Sequence, residues 1–346
     1  MKVLVTGADG YIGSLLAPLL AQRGHDVVGL DTGFYADAVL YDAGLPSVPT
    51  LRRDIRKLEE ADLAGFDAVV HLAELSNDPL GQLNPEITFR INHVGSVALA
   101  EAARRAGVSR FVYTSSCSVY GIGTGDLKNE TSEPRPQTAY AECKVLVERD
   151  VGALASDDFS PVFLRNATAY GASPRMRFDL VVNNLSGLAW TTREIRMTSD
   201  GSPWRPLVHV ADICAAVAAA LDAPREAVHG EIFNVGDSKE NYQVRDVAQI
   251  VADVFPGCAL TFGNNDGDNR SYRVSFDKIA ERLPSFRCQR DVRAGAEELR
   301  GVFERIAMTP DVFEHRTFTR LKQLQHLIGT GQVGAELYWE SEAVLA

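Results

Sequence analysis

The first thirteen residues contain the feature that most restricts how this chain can fold. A short apolar run leads directly into Gly7, Gly10 and Gly13, and leucines at helical spacing follow, which predicts a strand, a tight turn and a helix. Without Cβ atoms, Gly7 and Gly10 let the backbone approach a pyrophosphate, and Gly13 lets the helix lie against the strand. The N–H groups that begin the helix carry partial positive charge. We therefore predict a dinucleotide-binding turn, with a plain strand-to-helix turn as the competing interpretation, formed by Gly7, Gly10, Tyr11, Ile12 and Gly13.

Acidic residues end the next two predicted strands. Asp31 follows the second strand, about 20 residues after the glycines, where a carboxylate accepts hydrogen bonds from ribose hydroxyls and repels a 2′-phosphate. We therefore expect NAD as the cofactor and not NADP, and the competing interpretation is an aspartate in a turn. Asp54 follows a short third strand, where it can reach the adenine amino group or cap a helix that begins near Lys57.

Strands and helices alternate along the first half of the chain. Apolar runs typical of buried parallel strands lie at 66–73, 108–115 and 162–165. Helical periodicity lies at 86–105 and 138–148. This alternation with short connections predicts an α/β fold, a Rossmann-type doubly wound parallel sheet.

The substrate half of the chain is predicted to be discontinuous. We expect residues 1–165 to form the NAD-binding domain, with later segments at about 205–235 returning to it. Residues 166–346 are expected to form mainly a smaller substrate lobe and a C-terminal helical extension. Polar residues 74–85, with two prolines, and residues 166–171 are predicted to be loops at the ligand-binding edge of the sheet.

Composition excludes several classes of function. A formal net charge of −11 disfavours nucleic acid and anionic membranes as partners, because both need a basic face. No apolar run approaches the roughly 20 residues that cross a bilayer, and the N-terminus lacks the pattern of a signal peptide, so we expect a cytoplasmic protein. The scattered cysteines favour neither disulfides nor a metal site; they are Cys117, Cys143, Cys214, Cys258 and Cys288.

A second group of residues predicts proton transfer coupled to hydride transfer. Tyr140 and Lys144 are four residues apart in a predicted helix, so the phenol and the ammonium share one face. A neighbouring ammonium and a cationic nicotinamide ring both favour the phenolate. Ser116, at the end of a predicted strand, is placed to hold a substrate hydroxyl while Tyr140 takes its proton.

In this order, these stretches resemble the extended short-chain dehydrogenase/reductase family, specifically its nucleotide-sugar epimerases and dehydratases. The matching stretches are TGADGYIG at 6–13, HLA at 71–73, SSCSVYG at 115–121 and YAECK at 140–144. The resemblance extends to about Leu283 and implies a tightly held NAD and a transient keto-sugar. It implies Ser116, Tyr140 and Lys144 as catalytic residues, and Lys144 also as the lysine that binds the cofactor. It further places Ile55, Leu72 and Ala73 beside the cofactor.

Departures from the family pattern bear on the reaction. The 4,6-dehydratases carry an Asp-Glu pair after the catalytic Thr, where this chain has Cys117 and Ser118. Enzymes of the group that epimerise C3 and C5 have a cysteine two residues after the catalytic Ser, so Cys117 is one position off, and a small buried thiol is its alternative role. Glu74 stands where small residues are usual, and Thr168 where 4-epimerases commonly have Asn.

Four further positions are substrate-site candidates by resemblance. Asn183, followed by Asn184, lies in a predicted helix that the resemblance places near the sugar diphosphate, and Arg205 lies in the family's Arg-containing strand. A guanidinium fork matches phosphate oxygens, and a solvated surface arginine is the competing interpretation for Arg205. Spacing leaves open whether Arg270 or Arg273 is the second diphosphate ligand. Thr168 and Cys117 complete the predicted substrate site.

The sequence thus predicts an NAD-dependent nucleotide-sugar epimerase that acts through a keto-sugar, at C4. The alternatives are a nucleotide-sugar dehydratase or ketoreductase on the same scaffold, and a non-catalytic NAD sensor. Apolar stripes on the helices at 86–105 and 138–155 predict a homodimer through a four-helix interface, as the resemblance implies. Residues 290–346 extend beyond the family pattern, and the sequence predicts no function for them.

Overall fold

The computed structural model of the chain describes residues 1–76, 78–122, 126–264 and 270–341. The predicted substrate lobe therefore includes two stretches, 265–269 and 342–346, that lie outside the described residues. The strands are β1 (Lys2–Thr6), β2 (Asp26–Asp31), β3 (Thr50–Arg52), β4 (Ala68–His71), β5 (Arg110–Ser116), β6 (Leu127–Lys128), β7 (Ser160–Asn166), β8 (Thr168–Tyr170), β9 (Glu194–Arg196), β10 (Trp204–His209), β11 (Ile232–Val235), β12 (Asn241–Gln243), β13 (Ala259–Thr261) and β14 (Arg273–Val274). The α-helices are α1 (Gly13–Gln22), α2 (Glu60–Leu63), α3 (Asp78–Leu83), α4 (Pro85–Thr88), α5 (Ser96–Arg105), α6 (Ala139–Gly152), α7 (Val181–Thr192), α8 (Val210–Asp222), α9 (Arg225–Val228), α10 (Val244–Val254), α11 (Asp277–Arg282), α12 (Val292–Arg305), α13 (Pro310–Glu314) and α14 (Arg320–Gly329).

A central sheet of seven parallel strands organises the molecule. Its strand order is β11-β7-β5-β4-β1-β2-β3. From β1 the chain proceeds outward through β2 and β3, and from β4 it proceeds in the opposite direction. The order therefore reverses between β1 and β4, which is the place where open α/β sheets bind ligands at their carboxyl edge. The predicted doubly wound Rossmann-type fold is confirmed.

Helices cover both faces of this sheet. On one face, α1 and α8 bury Leu16, Leu20 and Ile213 against β1, β4 and β7. On the other face, α5 and α6 bury Leu99 and Val147 against β4 and β5. Since α8 and β11 come from late in the chain, the C-terminal half returns to the sheet after forming part of the second lobe. Within the segment at 205–235, β10 instead joins β8 and β12 in a separate three-stranded sheet.

The second lobe has its own core. Helices α7, α10 and α12 pack together around Leu185, Val251 and Phe303. Part of that core reaches the first lobe through Tyr11, whose hydroxyl donates to the carbonyl of Gly171 at 2.7 Å. The dinucleotide turn and the second lobe are therefore joined directly beside the sheet edge.

Two predicted loops contain regular structure. Residues 74–85 include α3. Pro79 does not prevent this helix, since it stands in the first turn, where a missing N–H and a fixed φ are tolerated. Pro85 begins α4 in the same way, and Asn84 caps that helix by accepting from the N–H of Ile87 at 3.2 Å. In the predicted loop at 166–171, β8 forms because it pairs with the distant β10. Local sequence contains no signal for such a pairing.

The predicted helix at 86–105 has a π-helical centre. Phe89–Gly95 forms the π-helical segment between α4 and α5. The side chain of Asn92 there donates to the carbonyl of Leu75 at 3.0 Å and accepts from its N–H at 2.8 Å. The segment thus fixes the backbone that follows β4, close to the expected site.

His71, at the end of β4, is fully buried in a polar contact chain. Its Nδ1 lies 2.7 Å from Thr6 Oγ1, and its Nε2 lies 2.8 Å from Ser96 Oγ. Burial, and secondarily the charge of Lys144, lowers the pKa of His71 from 6.5 to about 3. The imidazole is therefore neutral in the folded protein at neutral pH.

We predict that this histidine makes the fold less stable as pH falls below about 6.5. Between pH 6.5 and about 3 the unfolded chain binds a proton on His71 that the folded chain does not. Linkage therefore lowers the free energy of unfolding by up to about 1.4 kcal/mol per pH unit in that range. Urea unfolding at pH 7 and pH 5 measures this loss, and a His71→Gln variant should lose less. Equal losses in the two proteins would contradict the assignment.

Candidate active site

A cavity of about 1130 Å³ lies at the carboxyl edge of the central sheet. It spans the reversal of strand order, since Asp31 and Asp54 line it from the β2 and β3 side and Ser116 lines it from β5.

Among the described residues, no cluster of His, Cys, Asp and Glu is suited to hold a metal ion. No helix in that part of the chain is both long and apolar enough to span a bilayer.

The glycine turn has the shape that a pyrophosphate requires. Gly7 has a φ of +73°, and a Cβ there would lie 2.9 Å from the backbone nitrogen of Ala73. A Cβ on Gly13 would lie 2.1 Å from the Gly7 carbonyl oxygen, so the helix approaches the turn too closely for any side chain. A Cβ on Gly10 would meet only that carbonyl oxygen within 4 Å. The turn therefore presents bare backbone to the cavity, and Tyr11, Ile12, Leu72 and Ala73 line the cavity beside it.

The two predicted adenosine-side acids have different environments. The Asp31 carboxylate accepts from the N–H of Gly33 at 2.8 Å and from the N–H of Asp9 at 3.1 Å, while burial raises its pKa. Asp54 caps the 3₁₀ turn that begins at Ile55, and it holds the Arg56 guanidinium at 2.6 Å. Both acids and Ile55 line the cavity. Asp54 is thus a cap and an ion-pair partner that also lines the cavity, and its contact with the adenine stays a prediction.

The predicted catalytic residues meet in the same cavity. Thr138 caps α6 by accepting from the N–H of Ala141 at 3.2 Å, and this helix presents Tyr140 and Lys144 on one face. The Lys144 ammonium lies 5.4 Å from the centre of the Tyr140 ring and donates to the Thr114 carbonyl at 2.5 Å. Ser116, which ends β5, lines the cavity with both of them.

Glu74 adds a buried carboxylate to this group. Its Oε2 lies 2.5 Å from the Lys144 ammonium, and the two side chains are 3% and 4% exposed. The Tyr113 hydroxyl donates to the other carboxylate oxygen. The sequence marked Glu74 only as a departure from the family pattern, since the ion pair depends on how β4 and α6 pack.

The ion pair changes the electrostatics of the phenol. Burial alone would lower the pKa of Lys144, but Glu74, Tyr140 and Glu148 together outweigh burial and raise that pKa. Burial raises the pKa of Tyr140 more than Lys144 lowers it. The ammonium lowers the pKa of Tyr140, in the direction that the sequence analysis expected, but by less than burial raises it. A further positive charge in the cavity is needed to favour the phenolate.

Two arginines of the second lobe line the cavity near the catalytic group. Arg205 donates to the Trp204 carbonyl at 2.9 Å, and Arg270 forms an ion pair with Asp78. Thr168 also lines the cavity. Arg273 lies outside the lining, on β14, with its guanidinium 5.4 Å from the Trp204 ring centre. The geometry therefore favours Arg270 over Arg273 as the second diphosphate ligand.

Two other predicted substrate residues also lie outside the cavity lining. The Cys117 thiol is buried, donates to the Arg165 carbonyl at 3.2 Å, and has a pKa raised by burial. The Asn183 amide accepts from the N–H of Gly171 at 2.9 Å and donates to the Arg177 carbonyl at 3.0 Å, so it supports the lobe from inside. The substrate-contact prediction is corrected at both positions, and Asn184 lines the cavity in place of Asn183.

Other lining residues were not predicted as site residues. Arg177 lies between α7 and β8, and Arg320 belongs to the C-terminal extension. Neither stands in a motif, and each reaches the cavity through tertiary packing. Apolar spacing in α14 indicates which of its faces is buried, but it does not indicate that the helix borders a ligand site.

Comparison with known proteins identifies the family. The model of the NAD dependent epimerase/dehydratase family matches residues 3–236. The UDP-glucose 4-epimerase of Corynebacterium glutamicum is 29% identical over 303 residues, which cover 82% of this chain and 90% of that protein. That of Mycolicibacterium smegmatis is 33% identical over 256 residues, covering 69% and 78%. The structure of MoeE5 in complex with UDP-glucuronic acid and NAD has a TM-score of 0.75 at 29% identity, covering 88% and 99%. Sugar-nucleotide decarboxylases and a dehydratase are also related, at 27% to 28% identity.

We predict that the Glu74–Lys144 pair is a large element of stability. Glu74→Ala leaves a buried ammonium without its carboxylate, which should lower the free energy of unfolding by about 3–5 kcal/mol. Glu101→Ala is the control, because Glu101 is 49% exposed and lies 3.9 Å from Arg105 in a surface pair. Urea unfolding should show a change below about 1 kcal/mol for that variant. Similar small losses in both variants would show that Lys144 does not depend on Glu74.

Proposed function

Since the chain belongs to the NAD dependent epimerase/dehydratase family, we propose that it is a nucleotide-sugar epimerase that acts at C4 through a transient keto-sugar. The observation that carries this proposal is the meeting of Ser116, Tyr140 and Lys144 in one cavity with the glycine turn. NAD is the cofactor, in agreement with the relatives crystallised with NAD and with the bare glycine backbone and Asp31. When bound, NAD supplies a reversible hydride acceptor and a cationic ring.

Each of the three catalytic residues has a distinct role in this proposal. Ser116 holds the C4 hydroxyl, and Tyr140 takes the proton of that hydroxyl during oxidation and returns it during reduction. Lys144 holds the nicotinamide ribose and keeps a positive charge beside the phenol. Because burial keeps the Tyr140 pKa high, the phenol should become a competent base only when the cavity gains a further positive charge.

The residues after Ser116 favour epimerisation over water elimination. Elimination needs an acid and a base beside C5 and C6 of the sugar. The Cys117 thiol is turned into the core, and Ser118, which lines the cavity, is a weak acid and a weak base. A dehydratase or ketoreductase remains the second candidate, because the relatives include decarboxylases and a dehydratase. A non-catalytic NAD sensor has no need of all three catalytic residues.

The substrate is proposed to be a UDP-sugar. Arg205 and Arg270 line the cavity on the second lobe and would bind its diphosphate. UDP is the first nucleotide to test because the two epimerases named above are UDP-glucose 4-epimerases and MoeE5 was crystallised with UDP-glucuronic acid. The purified protein should interconvert UDP-glucose and UDP-galactose without added reductant, since the hydride returns to the sugar. A strict requirement for external NADPH, or a product lighter by one water, would support the second candidate instead.

We also propose a homodimer that forms through α5 and α6. These helices pack side by side and form one surface. Val94, in the π-helical segment that leads into α5, extends this surface and is 58% exposed. Pairing of this surface with its copy would form a four-helix interface and cover Val94. Light scattering should give twice the chain mass of 37.7 kDa. A monomer at micromolar concentration would contradict the interface.

We predict that Tyr140→Phe separates catalysis from cofactor binding. The variant keeps the ring but loses the proton acceptor, so turnover should fall by about 10²- to 10⁴-fold. Its affinity for NAD, measured by calorimetry, should change little. Tyr242→Phe is the matched control, because Tyr242 lies on β12 in the second lobe, where its hydroxyl donates to Glu240. Unchanged turnover in Tyr140→Phe would remove Tyr140 as the base.

A further inference from the structure

The C-terminal segment, defined here as residues 310–341, packs against the cofactor half of the cavity. Thr319, Arg320 and Leu321, at the start of α14, line that cavity. Farther along the segment, the Trp339 indole donates to the Thr32 carbonyl at 2.7 Å, directly after β2. The Arg56 guanidinium donates to the Glu336 carbonyl at 2.8 Å. The segment is therefore attached beside Asp31 and Asp54, the two acids expected at the adenosine.

Within this segment, Arg320 is a buried cation that forms no ion pair with any of the described residues. Its side chain is buried, and the guanidinium lies 4.1 Å from the centre of the Tyr35 ring. No carboxylate of the described residues lies within ion-pair distance of it, and its Nη1 makes no hydrogen bond there. Its Nη2 makes only a long contact of 3.5 Å with the Arg175 carbonyl. Burial, followed by the charge of Arg177, lowers its pKa to about 10.

The neighbouring arginines already have carboxylate neighbours. Arg177 forms a 2.6 Å ion pair with Asp179. Arg175 lies 3.9 Å from the Asp9 carboxylate, which belongs to the glycine turn. The Asp179 carboxylate acts on Arg320 only from beyond ion-pair distance, as does Asp31, so Arg320 adds a positive charge to the cavity wall that no carboxylate of the described residues contacts. A buried charge of this kind is costly unless an anion balances it.

We propose that Arg320 binds a pyrophosphate in this cavity, and that the pyrophosphate is the one of NAD. The cavity has two candidate sources of this anion, the cofactor and the nucleotide-sugar. The contacts of Arg320 favour the cofactor, because Tyr35 and Arg175 connect it to the β2 side and to the glycine turn. The substrate diphosphate is instead assigned to Arg205 and Arg270 of the second lobe. The C-terminal segment then forms the part of the cavity wall that holds the NAD pyrophosphate.

The test compares ligand affinities of three variants after removal of NAD. Arg320→Met removes the charge at similar length, Arg320→Lys keeps a charge without the fork, and Lys322→Met removes an exposed charge from the same helix. Calorimetry with NAD, ADP-ribose and UDP distinguishes the two pyrophosphate sources. In Arg320→Met we expect affinity for NAD and ADP-ribose to fall about 10- to 100-fold, with UDP unchanged. Arg320→Lys should lose less, and Lys322→Met should match the wild type.

Thermal unfolding of the ligand-free proteins separates binding from a structural role. Because Arg320 is buried and contacts no carboxylate in the part of the chain that the structure describes, replacing it with Met should leave the ligand-free melting temperature unchanged or raise it. A lower melting temperature with equal losses for all ligands would overturn the proposal, as would unchanged NAD affinity. Loss of UDP affinity alone would overturn the cofactor assignment. These binding measurements involve no turnover, so they hold whether or not the protein proves to be an epimerase.

Discussion

The close approach of the glycine turn to the end of β4 is the constraint on which the rest of this structure depends. At the reversal of strand order, Gly7 lies so near the backbone of Ala73 that a Cβ would not fit. That contact leaves a cleft whose walls are the ends of strands on both sides of the reversal. Residues far apart in sequence, such as Asp31 and Ser116, share the cleft because their strands end at the same edge. Residues of the second lobe, such as Arg205, form the remaining wall of this cleft.

The pairing of cations with carboxylates along the cavity wall is the second organising feature. The chain has a net charge of −11, and its cavity is bordered both by cations, among them Lys144, Arg177, Arg205, Arg270 and Arg320, and by carboxylates, among them Glu74, Asp78 and Asp179. Several of these cations are balanced by carboxylates in the structure, as Lys144 is by Glu74. The balance lets buried cations exist before a ligand arrives, but it also weakens the effect of Lys144 on Tyr140. The site as folded is therefore arranged to receive a phosphorylated, partly cationic cofactor before the phenol acts.

Sequence alone predicted the parts of the site whose chemistry is local. The glycine spacing depends on a single turn, and the four-residue separation of Tyr140 and Lys144 depends on a single helix, so both patterns can be interpreted from local sequence. Cys117 was misplaced because a residue one position past the end of a strand faces the opposite side, and the direction depends on the turn that follows. Arg320 and Glu74 could not be assigned roles because their partners come from elements distant in sequence. Helix α3 was missed because prolines were taken to indicate a loop, whereas a proline in the first turn is compatible with a helix.

The most direct test of this account follows the hydride itself. Purified protein can be incubated with UDP-glucose deuterated at C4, without added cofactor or reductant, and the products analysed by NMR and mass spectrometry. The account predicts the C4 epimer with deuterium retained at C4, because the hydride that leaves the sugar returns to the same carbon from the other face. An epimer with hydrogen at C4, or a 4-keto product lacking water, would contradict it.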